Sequence, residues 1–193
     1  MRRRAFLALP LALAACGLAE RPYAERRQWP LLVHQPETRP PRRGGPVLEV
    51  RPLRAGPGLE ARGLQSLQPD GSMRTAFYEE WAVPPAEGAG DALRLWLTNS
   101  GKFGAVVAPG SRVTPDLVME GELTALWSEP AQKQARATLA ITVVDQRGGS
   151  SRILLQRTFT GTAPLASDAA PDAAHAQLDA LADAFRQIEQ AVQ

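Results

Sequence analysis

The side chains that could do chemistry are few: one thiol at Cys16, two imidazoles at His34 and His175, and two lysines at Lys102 and Lys133. A hydroxyl and an amine meet at Ser100-Gly101-Lys102, and a serine beside a lysine can in principle act as nucleophile and base. A helix stop running into a strand explains Asn99-Ser100-Gly101 equally well. Glu79 and Glu80 are adjacent, so on a strand they face opposite sides and cannot share a proton. Glu120 and Glu122 share a face, but it is the polar side of a half-buried strand. His34 falls in a Pro-rich stretch and His175 in the opening turn of the last helical pattern. No H-x-x-x-H or paired C-x-x-C spacing offers a metal site. Neither a G-x-S-x-G elbow nor a G-x-x-x-x-G-K-[ST] loop occurs. The expectation is a chain that is not an enzyme, with no catalytic, cofactor or metal residues and no cofactor.

Cys16 is the exception. It ends a segment that opens on Arg2-Arg3-Arg4 and continues without charge from Ala5 to Ala15. A basic start, a short apolar core and small residues at its end make a secretory signal. The apolar run falls well short of the roughly 20 residues needed to span a bilayer. Leu13-Ala14-Ala15-Cys16 resembles the lipobox of bacterial lipoproteins, in which the thiol receives diacylglycerol and the freed amine is then acylated. An ordinary secretion signal would leave the only cysteine as an odd free thiol. Two or more acyl chains give stable membrane attachment. Arg3-Arg4-Ala5-Phe6-Leu7 also resembles a twin-arginine signal, which leaves the export route open.

The 193 residues suit one domain plus a tether once a signal peptide over 1–15 is removed. Three of the 22 basic residues leave with that signal, so the formal charge of +2 becomes a slight excess of acid. Nothing in that balance argues for nucleic acid. A hydrophobic content of 44% supports a packed core rather than disorder.

The elements follow from the patterning. Residues 16–46 form a Pro/Arg-rich tether, with Pro36, Pro40, Pro41 and Pro46 among Arg39, Arg42 and Arg43, which predicts a stiff, extended course. Trp29, Leu31, Leu32 and Val33 are placed as a short strand docking on the domain, which spans 47–193. Val47 to Leu53 alternates and is the first strand of that domain. Pro69-Asp70-Gly71 is a turn, since Pro presets φ and Gly accepts φ > 0. Met73 to Val83 is extended and carries Phe77, Tyr78 and Trp81. Pro84-Pro85 opens a helix with Ala89, Leu93, Trp96 and Leu97 on one face, and Gly101 ends it. Gly88 and Gly90 cost about 1 kcal/mol each against alanine, which moves the expected start nearer Asp91. Leu117 to Trp127 is a strand with Leu117, Met119, Gly121, Leu123, Ala125 and Trp127 on one side. Ala137 to Val144 and Ile153 to Phe159 follow, joined through Gly148-Gly149, with Arg157 breaking the second pattern. Leu178, Leu181, Phe185, Ile188 and Val192 repeat at helical spacing, with Asp168 or Asp172 near the helix start. The sum is a single α+β domain: a mostly antiparallel or mixed sheet covered on one face by two helices.

The order of these parts carries a resemblance: the lipobox, the tether, Phe77-Tyr78-Glu79-Glu80-Trp81-Ala82, a helix into Ser100-Gly101-Lys102-Phe103, and Leu117-Val118-Met119-Glu120-Gly121-Glu122-Leu123. The chain resembles the ABC-type transport auxiliary lipoproteins, the PqiC-like lipoproteins of MCE-type lipid transport systems, over about residues 16–191. Only Cys16 is carried over, as the lipid-bearing position. The resemblance implies a periplasmic, membrane-anchored accessory working with an MCE-domain protein, an ABC permease and its ATPase. It leaves a homo-oligomer open. Two rivals remain: an outer-membrane assembly lipoprotein of the lipopolysaccharide-transport kind, and a stand-alone periplasmic lipid carrier. Gly17, where some bacteria read aspartate as an inner-membrane signal, leans the placement toward the outer membrane.

Overall fold

The computed structural model describes residues 25–192. The signal over 1–15, Cys16 and the tether up to residue 24 lie outside the described residues. Among those described, the chain forms nine strands and two α-helices. In order they are β1 (Arg27–Trp29), β2 (Val47–Val50), β3 (Arg54–Ala55), β4 (Gly63–Leu67), β5 (Met73–Trp81), α1 (Pro85–Asn99), β6 (Ala105–Val107), β7 (Leu117–Glu129), β8 (Gln134–Asp145), β9 (Arg152–Pro164) and α2 (Ala170–Ala191).

All nine strands belong to one mixed sheet built around β7. On one side β7 pairs antiparallel with β8, and β8 with β9. On the other side three short strands run parallel to it in succession: β2 at Leu117–Met119, β3 at Glu122–Leu123, β4 at Ser128. Beyond them lie β6, parallel to β2, and the β4–β5 hairpin edged by β1. The hairpin turns where expected, with Gly71 at φ 84°.

The alternation along β8 is unbroken, with Leu139, Ile141 and Val143 all buried on the helix side. Along β7 it is interrupted. Leu123 stands opposite Leu139 and Ala125 opposite Thr138, so Thr124 is an extra residue in a bulge. A bulge shifts every later side chain to the other face. Leu126, not Ala125 or Trp127, therefore continues the core. Ala125 and Trp127 lie on the face opposite to the one that strict alternation predicts.

Both helices cover the same face. Ala89, Leu93, Trp96 and Leu97 of α1 are buried as the spacing predicts, and Gly101 ends the helix with φ 71°. The helix does not start late: it runs from Pro85, with the Gly88 amide donating to the Pro84 carbonyl at 3.0 Å. A Cβ on Gly88 would lie 3.0 Å from Cβ of Leu31. Packing against Leu31 thus uses the glycine, and this contact outweighs its poor intrinsic propensity. In α2 the predicted stripe is wider than read. Leu181, Phe185 and Ile188 are fully buried, and so are Ala180 and Ala184, which let the helix come close to the sheet. Neither Asp168 nor Asp172 caps it; Ala169 stands at the N-cap, and Asp172 accepts a hydrogen bond from Ser167 Oγ. Trp96 and Phe185 join the two helices edge to face, 5.8 Å between centroids.

The Pro/Arg-rich segment does more than hang free. Leu31 is buried, the Arg39 amide donates to the Asn99 carbonyl, and the Arg42 amide donates to the Phe103 carbonyl, both at 2.8 Å. Proline makes a segment stiff and extended, and such a segment lies along a surface as readily as it spans a gap. No helix among the described residues is long and apolar enough to cross a membrane.

Candidate functional site

The hydroxyl and amine at Ser100 and Lys102 and the acidic pairs of β5 and β7 all have local partners. Lys102 Nζ donates to the carbonyls of Glu189 and, at 3.1 Å, Val192, which closes the C-terminal turn of α2. Ser100 Oγ donates to the Leu97 carbonyl at 2.7 Å. The serine and lysine therefore finish two different helix ends. Glu79 and Glu80 face apart as expected. Glu79 accepts from Trp29 Nε1 at 2.8 Å, whereas Glu80 accepts from Gln28 at 3.0 Å and Arg62 at 2.8 Å. Glu120 and Glu122 share a face and meet Arg51 and Arg54 at 3.2 and 3.1 Å. His34 is exposed, and His175 stands edge-on to Trp29, 6.3 Å away. Among the described residues no group of three or more His, Cys, Asp or Glu could hold a metal ion.

Two carboxylates are strongly perturbed, and both lie at hairpin ends. The Arg136 guanidinium, 2.6 Å from Glu129, holds that carboxyl down to about 2, with Gln134 and Trp127 adding hydrogen bonds. This cluster ties the β7–β8 turn. Asp145 is held well below the usual carboxylate range by the Arg147 side chain and amide, with Arg152 nearby. This one ties the β8–β9 turn.

What remains is surface. On the sheet face away from the helices a trough of about 800 Å³ is lined by Arg51, Arg54, Glu120, Glu122, Gln156 and Thr158 among others. The sequence singled out Phe77, Tyr78 and Trp81. Trp81 is core at 1% exposure, whereas Phe77 is 66% exposed, with Tyr78 edge-on at 4.9 Å and the Arg26 guanidinium 4.6 Å above it. β1 pairs only with Glu79–Trp81, so the first part of β5 is a sheet edge. A second apolar edge was missed by the sequence reading: Ile153 and Leu154 on β9, 59% and 41% exposed. Its signal was three consecutive apolar residues, Ile153-Leu154-Leu155, where one-sided burial calls for alternation.

Residues 31–189 match a single family profile, described as the ABC-type transport auxiliary lipoprotein component. Among proteins with curated descriptions, none matches the sequence closely enough to count as a relative. Similar solved structures include an uncharacterized protein with a TM-score of 0.68 at 14% identity, covering 88% of this chain and 99% of that one. A Xanthomonas campestris protein has a TM-score of 0.65 at 18% identity, covering 84% and 92%. A hypothetical protein of Chlamydia trachomatis has 0.54 at 11% identity, covering 75% and 96%. At such identities the likeness shows the fold alone.

Proposed function

The chain belongs to the family of ABC-type transport auxiliary lipoprotein components, and on that premise we propose that it is a non-enzymatic accessory of an MCE-type lipid transport system, anchored by lipid on Cys16. The family match across the domain carries this reading. Leu13-Ala14-Ala15-Cys16 supplies the anchoring chemistry. From Cys16 to the first strand at Arg27 is about ten residues, a reach of ~35 Å at full extension. The domain then sits on the periplasmic side, at the outer membrane by the Gly17 argument, and docks an MCE-domain protein that works with an ABC permease and its ATPase.

Of the rival roles, a stand-alone lipid carrier needs room between sheet and helices. That space is filled by Trp96, Phe159, Phe185, Leu123 and Leu139, all nearly inaccessible. Lipid between sheet and helix would have to displace this core.

The test is affinity purification of the full chain from native membranes in mild detergent. Co-elution of an MCE-domain protein supports the reading. Co-elution of an outer-membrane barrel alone overturns it.

A further inference from the structure

A long unpaired edge is a hazard that folded proteins usually blunt. β9 is such an edge, since it pairs only with β8. Its upper half is blunted by α2: Gln187 Nε2 donates to the Thr160 carbonyl at 2.9 Å, and the Thr162 amide donates to Asp183 at 3.3 Å. These bonds also fix which backbone groups face outward. In an antiparallel ladder residues alternate between pairing with the neighbour and facing away. With no bulge between Leu155 and Pro164, the amides and carbonyls of Gln156 and Thr158 must face outward as well. Among the described residues nothing bonds to them on that side.

The unguarded half also has its own chemistry. Ile153 and Leu154 are exposed, and Leu154 falls at a register shift between Val143 and Val144. Arg157 is exposed, lies 5.2 Å from the Phe159 ring centroid, and meets no carboxylate among the described residues. Arg152 is largely exposed, with one long contact to Asp145 at 3.7 Å. A second copy would bring these arginines against one another, so the charge favours an acidic occupant.

We propose that Arg152–Thr158 of β9 is a strand-addition site for an extended partner segment that alternates apolar and acidic side chains. The partner's backbone pairs with the outward groups of Gln156 and Thr158, its carboxylates meet Arg157 and Arg152, and its apolar residues cover Ile153 and Leu154. This names the contact for the docking role argued above and rests on that reading for its purpose. Binding itself is read with the protein and a peptide alone, and so fails or succeeds separately from membrane anchoring.

The experiment adds a nine-residue peptide of alternating valine and glutamate to the full mature chain and follows amide hydrogen exchange, with a valine–lysine peptide beside it. Exchange at Gln156 and Thr158 should slow by about tenfold or more with the acidic peptide, and not with the basic one. Arg157→Glu, an exposed substitution whose fold is checked by its melting temperature, should abolish that preference. The proposal is overturned by unchanged exchange at both amides, by slowing confined to Met73–Tyr78, or by a preference that Arg157→Glu leaves intact. Protection that rises with protein concentration in the absence of peptide and vanishes in Leu154→Lys would assign the edge to a second copy, which also overturns it.

Discussion

Gly161 of β9 lies directly against the backbone of Ala180 and Ala184 in α2: a Cβ there would collide with the Ala180 carbonyl oxygen and the Ala184 amide. The helix therefore seats on the strand backbone to backbone, and Ala180 and Ala184 are buried as a result. Gly161→Ala should destabilise the domain by about 1–3 kcal/mol through overpacking, and Gly161→Val by more. Equilibrium unfolding in urea measures this, and an unchanged midpoint would mean that α2 does not sit there.

Stability should fall in acid through Glu129. Its carboxyl ordinarily titrates at 4.5 and is held at about 2 in the fold by Arg136. A lowered folded pKa means the stabilisation is complete above 4.5 and is lost as pH drops toward 2, up to about 3 kcal/mol in all. Glu129→Gln should be less stable than the parent at pH 7 and lose less between pH 4.5 and pH 2. Parallel pH profiles for the two proteins would contradict the assignment.

Lys102 is expected to be structural. Lys102→Met removes the ammonium that serves the last carbonyls of α2 and should cost about 1 kcal/mol. A fluorophosphonate probe should leave Ser100 unlabelled in the parent protein. Labelling at Ser100 that disappears in Lys102→Met would restore the nucleophile reading.

Much of this architecture could be read from the chain because it is local. Period-2 alternation marked β8, the i, i+3, i+4 stripe marked α2, and Pro69-Asp70-Gly71 marked the β4–β5 turn. What could not be read depends on distant partners. The bulge at Thr124 turns Trp127 away from the core, yet it exists only because β8 pairs opposite. Gly88 on its own disfavours a helix, and the residue that makes use of it, Leu31, lies 57 positions earlier. The tether's docking on Asn99 and Phe103 uses backbone groups, which side-chain types do not report. The same holds for the surface: exposed Ile153 and Leu154 were visible as a break in alternation, but the bonds that guard Thr160 and Thr162 from α2 were not.

Attachment through Cys16 is read from the mass of the mature protein extracted from membranes. The mature chain should begin at Cys16, carry diacylglycerol and acyl mass, incorporate labelled palmitate, and lose both in Cys16→Ser. A chain that begins elsewhere, or begins at Cys16 with an unmodified thiol and amine, would contradict it.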